Sequence, residues 1–230
     1  MTVDVMAIGA HPDDVEIAMG GTIAALAKEG KKVVLVDLSN GEPTPFGTPE
    51  KRMKEAAKAA KKLGVFKRIT LDLPNREIID SIENRKKLAT VIREYSPDIL
   101  FMPYWHDGHP DHIQTLLISQ AARFYAKLSK TDMPFDPFYP RKILQYDCLH
   151  IKARTNPSFI FDTTETMKTK VKALKCYKSQ FIKNKKNLAV IDNLKKENSF
   201  WGLQIKTEYG EPFFCLEYLA LKDLNSLLNA

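Results

Sequence analysis

No apolar run in the 230-residue chain approaches the roughly 18 residues that would suggest a membrane span. No Cys-x-x-Cys pair occurs, and the three cysteines (Cys148, Cys176 and Cys215) are far apart and odd in number. That argues against a thiolate zinc site and a disulfide framework, and favours reduced, structural thiols. Arginine is scarce: 8 of the 35 basic residues, against 27 lysines. Arginine is the usual reader of phosphates and bases. The lysines come as scattered pairs such as Lys31-Lys32, Lys61-Lys62 and Lys185-Lys186, as on solvated helix faces. The net charge of +7 therefore reads as solvated helix faces before a nucleic-acid patch, and it is compatible with a small anionic substrate. The N-terminus has Asp4 early and no basic region before its apolar run, so it does not read as a secretory signal. A cytoplasmic enzyme is the expectation. Neither Gly-x-Gly-x-x-Gly nor Gly-Lys-Ser/Thr surrounds Gly20-Gly21, which reads as a close helix contact, not a phosphate loop.

What is present is an ordinary globular composition, 44% hydrophobic and 27% charged. The length allows one large domain or two small ones, and a single domain over 1–230 is expected, with the Pro- and aromatic-rich stretch near 130–141 read as a loop. The first half alternates strand and helix signals. Strands are expected at Val3–Ala10, Lys32–Leu38, Arg68–Leu73 and Ile99–Pro103. Helices are expected at Gly20–Glu29, Pro49–Leu63, Ile82–Tyr95 and Asp111–Lys127. Later strand signals lie near Lys142–Ile151, Ser158–Phe161 and Pro212–Leu219, and helix signals over Thr163–Phe181 and Lys186–Phe200. This order predicts an α/β fold of the Rossmann-like, three-layer type, a mainly parallel sheet with helices on both faces.

Two short motifs carry chemistry. His11-Pro12-Asp13-Asp14 follows the first strand directly. Pro12 holds His11 to extended backbone. An imidazole and a carboxylate at i and i+3 can converge on one ion, while the other carboxylate stays free as a base. The same residues would also serve as a polar turn with a helix cap. His109-Pro110-Asp111-His112 follows the fourth strand after a short loop. His112 is a candidate third ligand, and Asp111 can orient His109 or cap the helix. In a doubly wound sheet ordered 3-2-1-4, the first and fourth strands are neighbours, and ligands bind beyond their carboxyl ends. Four of the five histidines (His11, His106, His109 and His112) follow these two strands. Two His and one Asp leave a position open for water, the pattern of a catalytic zinc site.

His11-Pro12-Asp13-Asp14, then Met19-Gly20-Gly21-Thr22, then His109-Pro110-Asp111-His112 resembles the PIG-L/LmbE-like family of zinc-dependent N-acetylglucosaminide deacetylases. The likeness covers about residues 1–127, with a fainter echo at Tyr177-Lys178-Ser179-Gln180-Phe181. The resemblance implies a Rossmann-like fold and a zinc ion held by His11, Asp14 and His112. It implies Asp13 as general base and His109 as electrostatic or acid catalyst. Members often form oligomers, so a homo-oligomer is expected. Asp-Asp-Val-Glu-Ile resembles the bacillithiol-pathway branch, which acts on an N-acetylglucosamine–malate conjugate. Gly108 stands where that branch often has Arg, and Asn75 where it tends to have Asp.

The expected reaction is hydrolysis of an N-acetyl group on an amino-sugar conjugate. Zinc lowers the pKa of its bound water toward about 7 and polarises the carbonyl. Asp13 takes the proton, and a protonated His109 stabilises the oxyanion or protonates the amine. Arg52 resembles a substrate-anchoring arginine. Asn75 is a sugar-hydroxyl candidate, and Tyr104 and Asp107 share a loop with the second motif. Two other readings compete. One is a non-haem oxygenase holding Fe2+ on the same two-His-one-carboxylate set. The other is a basic nucleic-acid-binding protein.

Overall fold

The computed structural model describes residues 1–147, 150 and 155–220. Its elements run β1 (Val3–Gly9), α1 (Asp14–Lys28), β2 (Val33–Ser39), α2 (Pro49–Leu63), β3 (Lys67–Leu73), α3 (Ile82–Tyr95), β4 (Pro97–Pro103) and α4 (Pro110–Ala126). Then come β5 (Lys142–Tyr146), β6 (Phe159–Asp162), α5 (Met167–Leu174), α6 (Lys178–Phe181), α7 (Val190–Gln204) and β7 (Gly210–Cys215). The sheet order is β3-β2-β1-β4-β5-β7-β6. The first five strands in that order pair in parallel, whereas β7 is antiparallel to β5 and to β6.

The expected α/β architecture follows from strands that are apolar on both faces. Along β1, Met6 and Ile8 join one core with Leu88 and Ile92 of α3 and Leu116 and Ala122 of α4. Val5 and Ala7, pointing the other way, join a second core with Val15, Ile23, Ala56, Leu63 and Leu174 from α1, α2 and α5. The alternation of side chains along an extended chain thus fills both layers from one strand. Helix ends follow local chemistry. Thr48 accepts from Lys51 N at the start of α2, Pro49 occupies its first turn, and Gly64 closes it at φ 76°.

Several boundaries differ from expectation. The first helix starts at Asp14, not Gly20, because the metal-capable turn leads into it without a linker; it breaks at Met19 (φ −135°, ψ 25°) and restarts at the glycine pair. Gly21 is required there, since a Cβ would stand 2.7 Å from Cβ of Thr163. The expected Thr163–Phe181 helix is divided into α5 and α6 by a turn that buries Tyr177. β5 ends at Tyr146, and residues 148, 149 and 151 of the expected strand lie outside the described residues. The last helix and strand are displaced, to Val190–Gln204 and Gly210–Cys215. Cys176 and Cys215 are free thiols; Cys148 lies outside the described residues.

Candidate active site

β1 and β4 are neighbours, so the two His-Pro-Asp motifs meet beyond their carboxyl ends. Asp13 sits at φ 114°, a conformation few non-glycine residues adopt. This sharp turn at the end of β1 starts α1 at Asp14 and sends the two neighbouring carboxylates to different partners.

Asp14 Oδ2 lies 3.4 Å from His11 Nδ1 and 3.3 Å from His112 Nε2. The same oxygen accepts from the His11 backbone N–H at 2.8 Å. Each histidine is held from behind by a carboxylate. Asp111 Oδ2 is 3.0 Å from His11 Nε2, and Asp107 Oδ2 is 3.0 Å from His112 Nδ1. Those bonds fix the outer nitrogen of each ring as the one that keeps its proton, so His11 Nδ1 and His112 Nε2 are the nitrogens that would turn to a metal, the arrangement of metal-ligating histidines. Donors bonded to one zinc at about 2.0–2.2 Å in tetrahedral directions stand roughly 3.3–3.6 Å apart. The two separations from Asp14 Oδ2 match that edge, so His11, Asp14 and His112 fit a small divalent ion. Charge agrees. Six buried carboxylates, Asp13, Asp14, Glu16, Asp37, Asp107 and Asp111, stand around the centre against two guanidiniums, Arg52 and Arg68.

Asp13 is not one of the three converging donors; its Oδ2 meets Arg52 Nη2 at 2.9 Å, and it lines the same cleft. Burial pushes its carboxyl up to about 7 against the pull of Arg52, with Asp14 and Glu16 adding to the rise. Asp14 is buried too, yet the charges of His112 and His11 hold it well below the usual range. For His11, burial alone would lower the imidazole, but Asp14 and the bond to Asp111 raise it to about 9.

His109 caps α4, its Nδ1 accepting from the Asp111 backbone N–H at 3.2 Å. In the neutral ring, the proton is then on Nε2. Burial and the nearby charges of His11, His112 and His150 push His109 down to about 4. The structure therefore supports a neutral N–H donor in place of the expected imidazolium. The side chain of Asp111 orients His11, not His109.

A cleft of about 370 Å³ opens over this centre, lined among others by Asp13, Arg52, Asn75 and His109. Tyr104 is not part of its lining: the ring stacks on Phe214, with centroids 4.2 Å apart. Arg52 is buried, and its Nε and Nη1 find no hydrogen-bond partner among the described residues. Several lining residues were not among the expected site residues, although Gln180 and Phe181 belong to the fainter echo at 177–181. Thr44, Gln180 and Asn187 give hydroxyl- and amide-bearing walls, and Ile17, Phe181 and Val190 an apolar one. Arg76 sits beside Asn75, and its backbone N–H donates to Asp111 at 2.7 Å. His150, after β5, brings its ring within 4.9 Å of that of His112. Asp107 was visible only as a loop acid; its place five residues before His112 was the available signal.

The model of the PIG-L family, GlcNAc-PI de-N-acetylase, matches residues 6–122. The chain is 31% identical over 195 residues to the diacetylchitobiose deacetylase of Thermococcus kodakarensis, covering 77% of this chain and 70% of that protein. It is 33% identical over 172 residues to the 1D-myo-inositol 2-acetamido-2-deoxy-alpha-D-glucopyranoside deacetylase of Nocardiopsis dassonvillei, covering 60% of each. Among solved structures, the conserved protein TT1542 from Thermus thermophilus superposes with a TM-score of 0.87 at 32% identity, covering 95% of this chain and 97% of that one. None of these findings supports the oxygenase or the nucleic-acid reading. Among the described residues no helix is long and apolar enough to cross a membrane.

Proposed function

The chain belongs to the PIG-L family, and from that premise we propose that it is a zinc-dependent deacetylase acting on an N-acetylglucosamine-type conjugate. The 230 residues act as one catalytic unit, because the second half supplies a wall of the cleft. The observation that carries the reading is the centre itself: three donor atoms converge, two of them oriented by buried carboxylates, with an unliganded carboxylic acid beside them. A zinc ion held there by His11, Asp14 and His112 would polarise the acetyl carbonyl and acidify a water molecule.

Asp13 takes a proton from the attacking water. Its raised affinity for protons suits a base working near neutrality. His109 lines the cleft, and its Nε2–H, on the other side of the ring from the capped Nδ1, would donate to the oxygen that gains charge as the carbonyl becomes tetrahedral. The proton held by Asp13 then passes to the departing sugar amine, so that water and amide yield acetate and free amine. Arg52, with two N–H groups unsatisfied, binds an oxygen of the sugar or its aglycone. Asn75, Gln180 and Asn187 supply donors and acceptors for hydroxyls. The chitobiose and inositol conjugates of the relatives and the malate conjugate of the bacillithiol branch all present an N-acetylglucosamine. Amine release from these three, measured with zinc added to metal-stripped enzyme, tests the reading. Release from none of them, with zinc bound stoichiometrically, would remove it.

A further inference from the structure

The segment Tyr177-Lys178-Ser179-Gln180-Phe181 lies far in sequence from both metal-capable motifs, yet the fold places it against them. Tyr177 is fully buried. Its hydroxyl donates to Glu16 Oε1 at 2.6 Å, in the first turn of α1 and close to Asp13 and Asp14. Arg68 Nη1 meets the same oxygen at 2.5 Å, while its other nitrogens bind Asp37. The tyrosine is thereby fixed to the first helix and, through Arg68, to the sheet. The Arg52 guanidinium carbon lies 5.4 Å from the centre of the Tyr177 ring. Two residues on, Ser179 fixes α2, the helix that carries Arg52. Its N–H and Oγ donate to Glu55 at 3.0 and 2.6 Å. Gln180 Nε2 then reaches Thr44 Oγ1 at 3.1 Å, across the cleft wall.

These contacts leave Arg52 little freedom. One nitrogen, Nη2, is held by Asp13 and by the carbonyl of Pro12. The aromatic ring contacts the guanidinium plane, an attraction that depends on the planar cation and the ring's electron-rich face. What is left is the edge carrying Nε and Nη1, both buried and without partners among the described residues. An arginine free to rotate would lose entropy on binding a ligand, and this one is already ordered.

We infer that Tyr177 is a positioning residue that acts on substrate through Arg52, presenting the two free N–H groups to an oxygen atom of the bound amino-sugar conjugate. The inference rests on the deacetylase reading for its substrate. It explains why a five-residue segment outside the metal centre has the environment of an active-site element. It also gives the Tyr177 hydroxyl a different task from the ring: the hydroxyl anchors, and the ring face orients.

The test is a double-mutant cycle with N,N'-diacetylchitobiose as probe. Tyr177→Leu removes the face but leaves the Arg52–Asp13 contact, so KM should rise roughly 3- to 30-fold with kcat changed far less, the range of a desolvated cation–aromatic contact. In an Arg52→Ala background the same substitution should raise KM no further. Tyr177→Phe keeps the face and should raise KM by less than a third of the Tyr177→Leu effect. If Tyr177→Leu does not fold, Tyr177→Phe carries the test: its KM should rise less than about 3-fold, and a larger rise would overturn the inference. Equal losses from Tyr177→Leu with and without Arg52, or a Tyr177→Phe effect as large as that of Tyr177→Leu, would overturn the inference. Both outcomes are readable while wild type is active; inactivity of wild type toward every N-acetylglucosaminide would instead remove the deacetylase reading.

Discussion

Lys170 and Glu211 form an ion pair with neither side chain exposed, Nζ 2.6 Å from Oε1. Glu211 also accepts from the N–H groups of Gly21 and Thr22 and from the Thr22 hydroxyl, at 2.9, 2.7 and 2.7 Å. Those amides are freed where α1 breaks at Met19. A carboxylate from the last strand therefore caps the restarted helix, as an acidic N-cap would. Lys170, from α5, balances the charge and bonds Asn198 at 3.0 Å. Lys170→Met leaves the Glu211 carboxylate buried and uncompensated. Breaking a buried pair in this way costs about 3–5 kcal/mol. At roughly 2–4 °C per kcal/mol for a chain of this size, the melting temperature should fall by about 6–20 °C. Adding Glu211→Gln removes the stranded charge, although one helix N–H then loses its acceptor. The double variant should regain about 1–3 kcal/mol over Lys170→Met. Calorimetry or urea unfolding of the metal-loaded protein reads both quantities. Two costs that simply add, within about 0.5 kcal/mol, would refute the argument that charge compensation holds this junction together.

Four further outcomes are expected. His112→Ala should lose most bound zinc and activity together, because it removes one of three converging donors; stoichiometric zinc after dialysis would take His112 out of the set. Asp13→Asn should keep the metal and lose roughly 10²–10⁴-fold in kcat, the scale of a missing general base; zinc loss in Asp13→Asn but not in Asp14→Asn would reverse the two roles. Zinc uptake near pH 7 should release close to one proton, since His11, raised to about 9, must give one up to become a ligand, and affinity should climb with pH up to about 9; calorimetry in buffers of different ionisation heat would show this, and heats independent of buffer would contradict it. His109 is pushed from 6.5 to about 4, so below 6.5 the unfolded chain takes a proton that the folded metal-free chain refuses. Asp13, raised to about 7, works in the opposite direction over the same range, so the sign is read by comparison: wild type should lose stability relative to His109→Gln as pH drops from 6.5 toward 4, and a constant difference between the two would exclude this role of His109.

The parallel half of the fold was legible because each strand is a short apolar run and each helix carries its stripe and cap in sequence. α2 and α3 begin and end where Pro49, Gly64 and the periodic apolar residues say they should. The site was legible where two motifs each follow a strand that the topology sets side by side. The C-terminal strands were harder, because β7 and β6 pair by antiparallel contacts over long sequence distances. Nothing near Glu211 in sequence signals that it caps a helix 190 residues away. His150 and Asn187 reach the cleft from loops and short helical turns, where neither periodicity nor spacing marks a residue, and Gln180 was marked only by the faint echo at 177–181. Tyr104 shows the converse: a loop aromatic next to the motif was drawn into packing against β7, which only the tertiary fold reveals.

The Asp13-Asp14 doublet shows how far chemistry can be divided by one backbone angle. Side chains on adjacent residues would ordinarily share an environment. Here the positive φ of Asp13 turns it toward Arg52, while Asp14 enters the helix beneath two imidazoles. Environments that push two acids apart in this way are the ground for proposing one as ligand and the other as base. Asp14, held low by His112 and His11, is a carboxylate ready to meet a cation. Asp13, raised by burial, keeps an affinity for protons that a base must have. Glycine at position 13 would relax the turn but delete the base. Alanine would delete it and keep the strain, which for a residue in that region is of order 1–3 kcal/mol. Asp13→Gly should therefore be more stable than Asp13→Ala in thermal unfolding, with both lacking activity. If Asp13→Ala were the more stable of the two, the unusual φ would not be a strained turn, and the division of roles would need another cause.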